Sequence, residues 1–359
     1  METDRLITNQ TNQLITNQTN QLITNRLTKE LYAAISDLHH VSPIVGFLRF
    51  GSLAAALLSL VALAWLTPLP WVFITATCLA GVVYGFLLIC THDMLHHTLT
   101  GWLWFERLFA RLVSYPMLWP YGLYAELHRL HHGWNGIDLR DPERVQWTWN
   151  EYQQAQPIVQ WYVRHQWAID IFVLGGFGLI FKTFFHALRL QKIVPRIRTQ
   201  LWIDLTGIVT IQGLFLSFAV LQGQGLRYLL FWFLLERVIG VIGQTRDHLE
   251  HYGLWGKTSQ FQLTQLYTCR NLCTSPIMDW LMGGLPYHAV HHAFPDIPFN
   301  QLPEAFTRIQ NVLEAHRLPP MQLDEGYIKT AFMLSQSPCM IGELTSTTAG
   351  RNAMVPIKS

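Results

Sequence analysis

Eleven of the 16 histidines in this 359-residue chain fall in four short segments: His92-Asp93-Met94-Leu95-His96-His97, His128-Arg129-Leu130-His131-His132, Asp247-His248-Leu249-Glu250-His251 and His288-Ala289-Val290-His291-His292. On a helix, positions i, i+3 and i+4 share a face, so each HxxHH aims three imidazoles in one direction. Neutral imidazole is the commonest protein ligand for transition metals. In the first segment His92 and His96 stand at i and i+4, whereas His97 points about 140° away on ideal helical geometry; it is read as an outer or substitute group. In the third segment along the chain, His251 and Asp247 are i and i+4, which leaves His248 the poorer candidate. Nine imidazoles are therefore favoured as metal ligands: His92, His96, His128, His131, His132, His251, His288, His291 and His292. One ion accepts fewer than nine, since zinc takes four ligands and octahedral iron six. Two metals with four or five ligands each fit the set better. Asp93, Glu126, Asp247 and Glu250 are placed to orient imidazoles by accepting their second N–H. A lone HxxHH is more often an ordinary histidine cluster, but two of them together with HDxxH outweigh that reading. His39, His40, His165, His186 and His316 stand outside the segments and are read as ordinary surface or structural residues.

The elements that must position these residues are membrane helices. Half the chain is hydrophobic and only 13% is charged, about half the usual charged share of a soluble domain. The apolar runs from Gly51 to Leu66 and from Trp71 to Cys90 flank a Pro-containing link. Twenty helical residues rise about 30 Å, enough to cross the hydrocarbon layer, so the two runs predict an antiparallel hairpin. Leu201 to Leu221 and Tyr228 to Gly243 predict a second one, with Asp204, Glu236 and Arg237 turned to the bundle or a polar end; Glu236-Arg237 reads as an internal ion pair. The expected fold is thus all-α and integral to the membrane, with four spans near 50–67, 71–90, 200–221 and 227–245 under a cytosolic histidine-rich helical cap. An even number of spans must separate the histidine segments if they are to meet, which assigns residues 157–190 to interfacial or buried helices. Arg26, Lys29, Arg49, Arg107, Arg111, Lys192, Arg196 and Arg198 fall on the histidine side, against Arg227 alone in the opposite links. The positive-inside rule then puts the site in the cytoplasm. Trp119, Trp134, Trp147, Trp149 and Tyr152 are read mainly as interface anchors.

The chain opens on an eight-residue repeat, Leu6-ITNQTNQ, Leu14-ITNQTNQ, Leu22-ITN, whose period matches neither helix nor solenoid. It lacks the apolar core of a signal peptide, and residues 1–30 are expected to form a disordered polar tail. Residues 31–320 form the membrane domain and residues 321–359 a C-terminal tail. The five cysteines, Cys78, Cys90, Cys269, Cys273 and Cys339, lack the paired spacing of a metal or disulfide framework and are read as reduced thiols. A formal charge of +2 and the absence of a basic run with interleaved aromatics argue against a nucleic-acid partner.

His92-Asp93-xx-His96, His128-xx-His131-His132 and His288-xx-His291-His292 resemble the histidine boxes of the membrane fatty acid desaturase/hydroxylase superfamily, over roughly residues 45–310. The last box continues Ala293-Phe294-Pro295, similar to lipid desaturases and carotenoid ketolases. Glu250-His251-Tyr252-Gly253-Leu254 resembles the extra-histidine motif of membrane alkane hydroxylases, although Asp247 stands where related enzymes often have Asn. The resemblance implies two irons in a cytosolic site, O2 as cosubstrate, a lipid or other apolar substrate, and electrons from a ferredoxin or cytochrome. The leading expectation is a fatty acid desaturase acting on an acyl-lipid or acyl-carrier chain. The alternative is a hydroxylase or ketolase of a carotenoid, alkane or similar molecule. A zinc-binding or transport protein is disfavoured, because the histidines lie beyond the spans and not at mid-membrane.

Overall fold

The structure, a computed structural model, describes residues 25–336, 338–342 and 354–356. A first helix, α1 (residues 25–35), precedes two long helices, α2 (Pro43–Leu66) and α3 (Pro70–Leu95). Pro43 and Pro70 sit in the first turn of their helices, where a missing N–H costs nothing. The helix of α3 runs past Cys90 to Leu95, so the first histidine segment occupies its last turn. Next come α4 (Leu103–Ser114), α5 (Tyr121–Trp134), α6 (Trp149–Gln154) and α7 (Pro157–Ala168), the last continued by a π-helical stretch, Ile169–Leu174, into α8 (Gly175–Leu190). The two long helices α9 (Arg196–Leu221) and α10 (Gly225–His251) follow. Short helices complete the chain: α11 (Phe261–Thr268), α12 (Pro276–Leu281), α13 (His288–Ala293), α14 (Leu302–Ala315) and α15 (Tyr327–Ser335). Strands are minimal among the described residues. β1 (Asn271–Cys273) pairs in parallel with β2 (Leu323–Glu325), and β3 (Cys339–Ile341) antiparallel with β4 (Met354–Pro356).

Four helical stretches are long and apolar enough to cross a membrane: α2, α3, the 34-residue stretch Pro157–Leu190 and α9. Three coincide with expected spans, each longer than the sequence suggested. The fourth departs from expectation in two ways. Residues 157–190 have the length and apolarity of a span, and α10, expected to be one, is not among the four; Arg227, Glu236 and Arg237 interrupt its apolar run. Yet 34 straight helical residues would measure about 51 Å, well beyond the ~30 Å hydrocarbon layer, and this stretch is not straight. Gly175 adopts φ 55, ψ −138, which breaks the helix. The break frees backbone groups that α10 satisfies. Arg237 donates to Val173 O at 2.8 Å and to Leu174 O at 2.9 Å, and Gln244 donates to Gly175 O at 2.9 Å. Glu236 accepts from the Phe177 amide at 2.9 Å while paired with Arg237. Apolar surroundings make each unpaired peptide group expensive, which accounts for these polar residues on α10, where Glu236 and Arg237 form the internal ion pair expected from the sequence.

The cap is built by α1, α11, α13 and α14, whose Leu31 and Ile35, Leu266, Val290, Ile309 and Leu313 share one buried core. The boundary drawn at residue 30 is therefore corrected: Leu27, Leu31 and Ile35, spaced four apart, give α1 an apolar stripe that starts inside the expected tail. Residues 1–24, with the octapeptide repeat, lie outside the described residues. The C-terminal boundary moves as well. Beyond residue 321, β2 pairs with β1, and Tyr327, Ala331 and Leu334 of α15 pack on a cluster containing Leu249 and Leu272.

Candidate metal centre

Helical period alone brings the imidazoles of each segment to one face, and packing brings the faces together. His92 lies in the last turn of α3 and His96 is the residue that ends it. The backbone then turns left-handed at His97, with φ 60, and carries its ring away to Glu106 at 3.1 Å. His128, His131 and His132 lie on α5, His251 ends α10, and His288, His291 and His292 lie on the six-residue α13. All nine favoured imidazoles converge, in two adjoining groups. His92, His96, His128, His132 and His291 form one, with ligand nitrogens all within 4.8 Å of one another. His131, His251 and His292 form the core of the other, and His288 joins it through His251 together with Glu250. The groups touch where the rings of His132 and His292 stack at 4.2 Å. His97 and His248 belong to neither; His248 instead meets Asp170 at 3.1 Å.

Carboxylates and an amide hold the rings from outside. Nδ1 of His92 is 3.2 Å from Asp93, that of His128 is 2.8 Å from Glu143, and that of His131 is 2.9 Å from Asp141. Nδ1 of His292 is 3.2 Å from the Gln265 side-chain oxygen, and Glu250 approaches His288 at 3.5 Å. Glu250 faces Nε2 of His288, the nitrogen that also meets His251, and Asp93 alone of the four stands where expected. Glu126 and Asp247 do not: Glu126 pairs with Arg129, and Asp247 with Lys182 at 3.0 Å. Asp141, Glu143 and Gln265 went unnoticed in the sequence. The first two come from the irregular segment after α5 and the third from α11, so no helical spacing links them to the rings they hold. The only available signal was an Asp-Pro-Glu run close behind the second segment.

Seven of the nine rings carry a buried nitrogen with no partner in the protein. His92, His96, His291 and His292 each leave Nε2 buried and unpaired, and His132, His251 and His288 leave Nδ1 so. Nε2 of His131 and of His288 both face Nε2 of His251 at 3.1 Å. An orphaned buried polar atom costs about 1–3 kcal/mol, so this density of lone pairs is costly without a cation between them. Burial pushes His96, His132, His288, His291 and His292 well below the usual histidine range, and His128 below it too, keeping them in the neutral form that metals bind. His131 differs. Burial opposes its charge, but Asp141 and Glu143 outweigh that and raise it to about 9. These donors suit two nitrogen-preferring transition ions.

A cavity of about 140 Å³ ends at this centre, lined by Ile89 and His92 of α3, Tyr124 of α5, Leu179 and Ile180 of α8, and Ile239 and Ile242 of α10. The break at Gly175 shapes its wall, since Gly176 and Glu236 also line it. Trp119 lines the same space, whereas Trp147, Trp149 and Tyr152 pack with Met340, and Trp134 with Leu130 and Phe184. Glu143, Lys182, Arg246 and Asp247 line this first cavity as well, and Lys182 and Asp247 are shared with a second cavity of about 220 Å³ that is also lined by Asp170 and His248. All five cysteines are free.

Apolar spanning helices that end in a shared double cluster of buried imidazoles define a class: helical membrane proteins with a paired metal-binding geometry. The chain belongs to the fatty acid desaturase family, whose model matches residues 64–323. It is similar to the Delta(5) fatty acid desaturase fat-4 of Caenorhabditis elegans, 25% identical over 69% of this chain and 60% of the relative. It is also similar to the Delta(8)-fatty-acid desaturase of Euglena gracilis, 24% identical over 67% and 61%, and to the Delta 8-(E)-sphingolipid desaturase of Kluyveromyces lactis, 22% identical over 76% and 51%. The matched regions span about half to three fifths of these curated relatives.

Proposed function

We propose that this protein is an O2-dependent diiron desaturase that introduces a C=C bond into the acyl chain of a lipid-linked or carrier-linked fatty acid. The observation that carries the reading is the division of nine imidazoles, eight buried and His96 half-buried, into groups of five and four at the end of a mainly apolar cavity. One iron would be held by His92, His96, His128, His132 and His291, and the other by His131, His251, His288 and His292, with Glu250 alongside. Bound iron supplies the O2 activation that removes hydrogen from an unactivated C–H bond. The balance is one O2, two electrons and two protons taken up per double bond made, with two waters released. The relatives' names favour desaturation over hydroxylation.

The protein's own residues supply position and dryness. Ile89, Leu179, Ile239 and Ile242 offer an acyl chain an apolar bed that leads to His92 and excludes water. Asp93, Glu143, Asp141 and Gln265 fix ring orientation and tautomer, each by accepting an imidazole N–H. The centre faces the cytoplasm in this reading, where a ferredoxin or cytochrome delivers the electrons. The test is expression in a host with profiled lipids, together with metal analysis of the purified chain. About two irons per chain and a product two mass units lighter than its precursor are expected. A product carrying added oxygen would replace desaturation by hydroxylation, and zinc alone without O2 consumption would end the reading.

A further inference from the structure

We propose that Arg49 is a positioning residue of the iron centre, tying the first histidine segment to the last through one buried guanidinium. The inference rests on the diiron reading above. Arg49 stands on α2, which contributes no histidine to the centre, and its side chain is completely buried. Nη1 donates to Asp93 Oδ2 at 2.5 Å, and the other oxygen of Asp93 lies 3.2 Å from Nδ1 of His92. Nη2 donates to Leu281 O at 3.2 Å, and the guanidinium carbon sits 4.7 Å from the centre of the Phe299 ring. Leu281 and Phe299 lie on either side of the segment that carries His288, His291 and His292. Gly283 makes the seat: with φ 63, a Cβ there would fall 2.6 Å from Nη2 of Arg49.

One side chain thereby touches the carboxylate that orients His92 and both shoulders of the segment that supplies His291. The rings of His92 and His291 are 4.6 Å apart inside the five-imidazole group, so this bridge sets a spacing within one iron site. The task needs a planar fork that bonds in two directions while its face stacks on an aromatic ring; an ammonium group cannot do all three. A buried charge is also costly unless engaged; Nε of Arg49 has no partner, and the contacts made by Nη1, Nη2 and the face of the guanidinium all lead to the metal centre. Arg49→Lys keeps the charge and loses the geometry. Asp93→Asn keeps the shape and loses the carboxylate beside His92. Loss of such an outer partner typically lowers metal affinity about 10–100-fold.

The experiment compares wild type, R49K and D93N in detergent, reading iron affinity, the Mössbauer spectrum of the 57Fe-loaded chain, and thermal melting of the metal-free chain. We expect both variants to fold when metal-free and to lose affinity about 10–100-fold at one iron. The spectrum should shift from a coupled pair towards a single iron, and excess ferrous iron should restore the pair. Wild-type affinity and spectrum in both variants would overturn the role of Arg49 and leave the diiron reading intact. So would failure of both to fold without metal, because the guanidinium would then hold the fold and not the site. A wild type that takes up no iron would instead overturn the diiron reading itself.

Discussion

At the scale of single residues, the nine imidazoles were legible because helical period alone selects them, and the same geometry set His97 and His248 aside. The groups that hold the rings were less legible. Asp93 and Glu250 sit beside histidines in sequence, but Asp141, Glu143, Gln265 and Arg49 reach the centre only through tertiary packing. Ligand roles are tested by replacing His131 or His291 with Ala, each expected to abolish turnover and lower bound iron, measured by metal analysis. His97→Ala should be milder than His96→Ala, because His97 faces Glu106; the reverse order of severity would transfer the ligand role to His97. A second prediction concerns protons in the metal-free protein. Burial holds His96, His128, His132, His288, His291 and His292 below their unfolded value near 6.5, so their stabilising contribution is present above that pH and is lost as pH falls. His131, raised to about 9, has the opposite sign: its contribution is complete below 6.5 and declines as pH rises towards 9. Each group acts with a slope of up to about 1.4 kcal/mol per pH unit. Melting temperature should therefore fall steeply on the acid side of 6.5 and gently on the alkaline side. A symmetric profile would contradict the neutral state of the six.

At the scale of elements, the two antiparallel connections at 67–69 and 222–224 could be read from apolar runs and their Pro- or Gly-rich links. The ends could not, since α3 and α10 run on through polar histidine turns that lower any apolar average. The C-terminal segment was misread for a similar reason. Its first strand is three residues long and its helix nine, and these two gain their stability from β1 and α10 and not from their own pattern. Ending the chain at residue 320 should therefore destabilise the protein measurably in a detergent melt, because the Leu249 and Leu272 cluster loses Tyr327, Ala331 and Leu334. Removing residues 2–24 should leave turnover within a few-fold of the full chain, since α1 and every histidine segment remain. An unchanged melt in the first truncation, or iron loss in the second, would reverse the assignments.

At the scale of the whole molecule, His128 and His251 can meet only if the chain between them returns to the side it left. The connection from α9 to α10 gives one such return. If α9 and α10 both cross, residues 157–190 lie along the interface or enter and leave on the same side, and the break at Gly175 allows either. Single cysteines introduced in a background without native thiols would report this. Labels at Ser42, Asn150 and Asn311 should react from the cytoplasmic face and one at Gln224 from the other. Labelling of Asn150 and Asn311 from opposite faces would make residues 157–190 a full crossing and separate the two halves of the centre.

The break at Gly175 also binds two distant stretches of sequence into one heritable unit. Its loose peptide groups are served by Glu236, Arg237 and Gln244 of α10. Neither stretch can change alone without stranding polar groups. Across an alignment of relatives, loss of the Gly-Gly pair at 175–176 should coincide with apolar residues at 236, 237 and 244. Independent drift at the two places would show that something else fills the break.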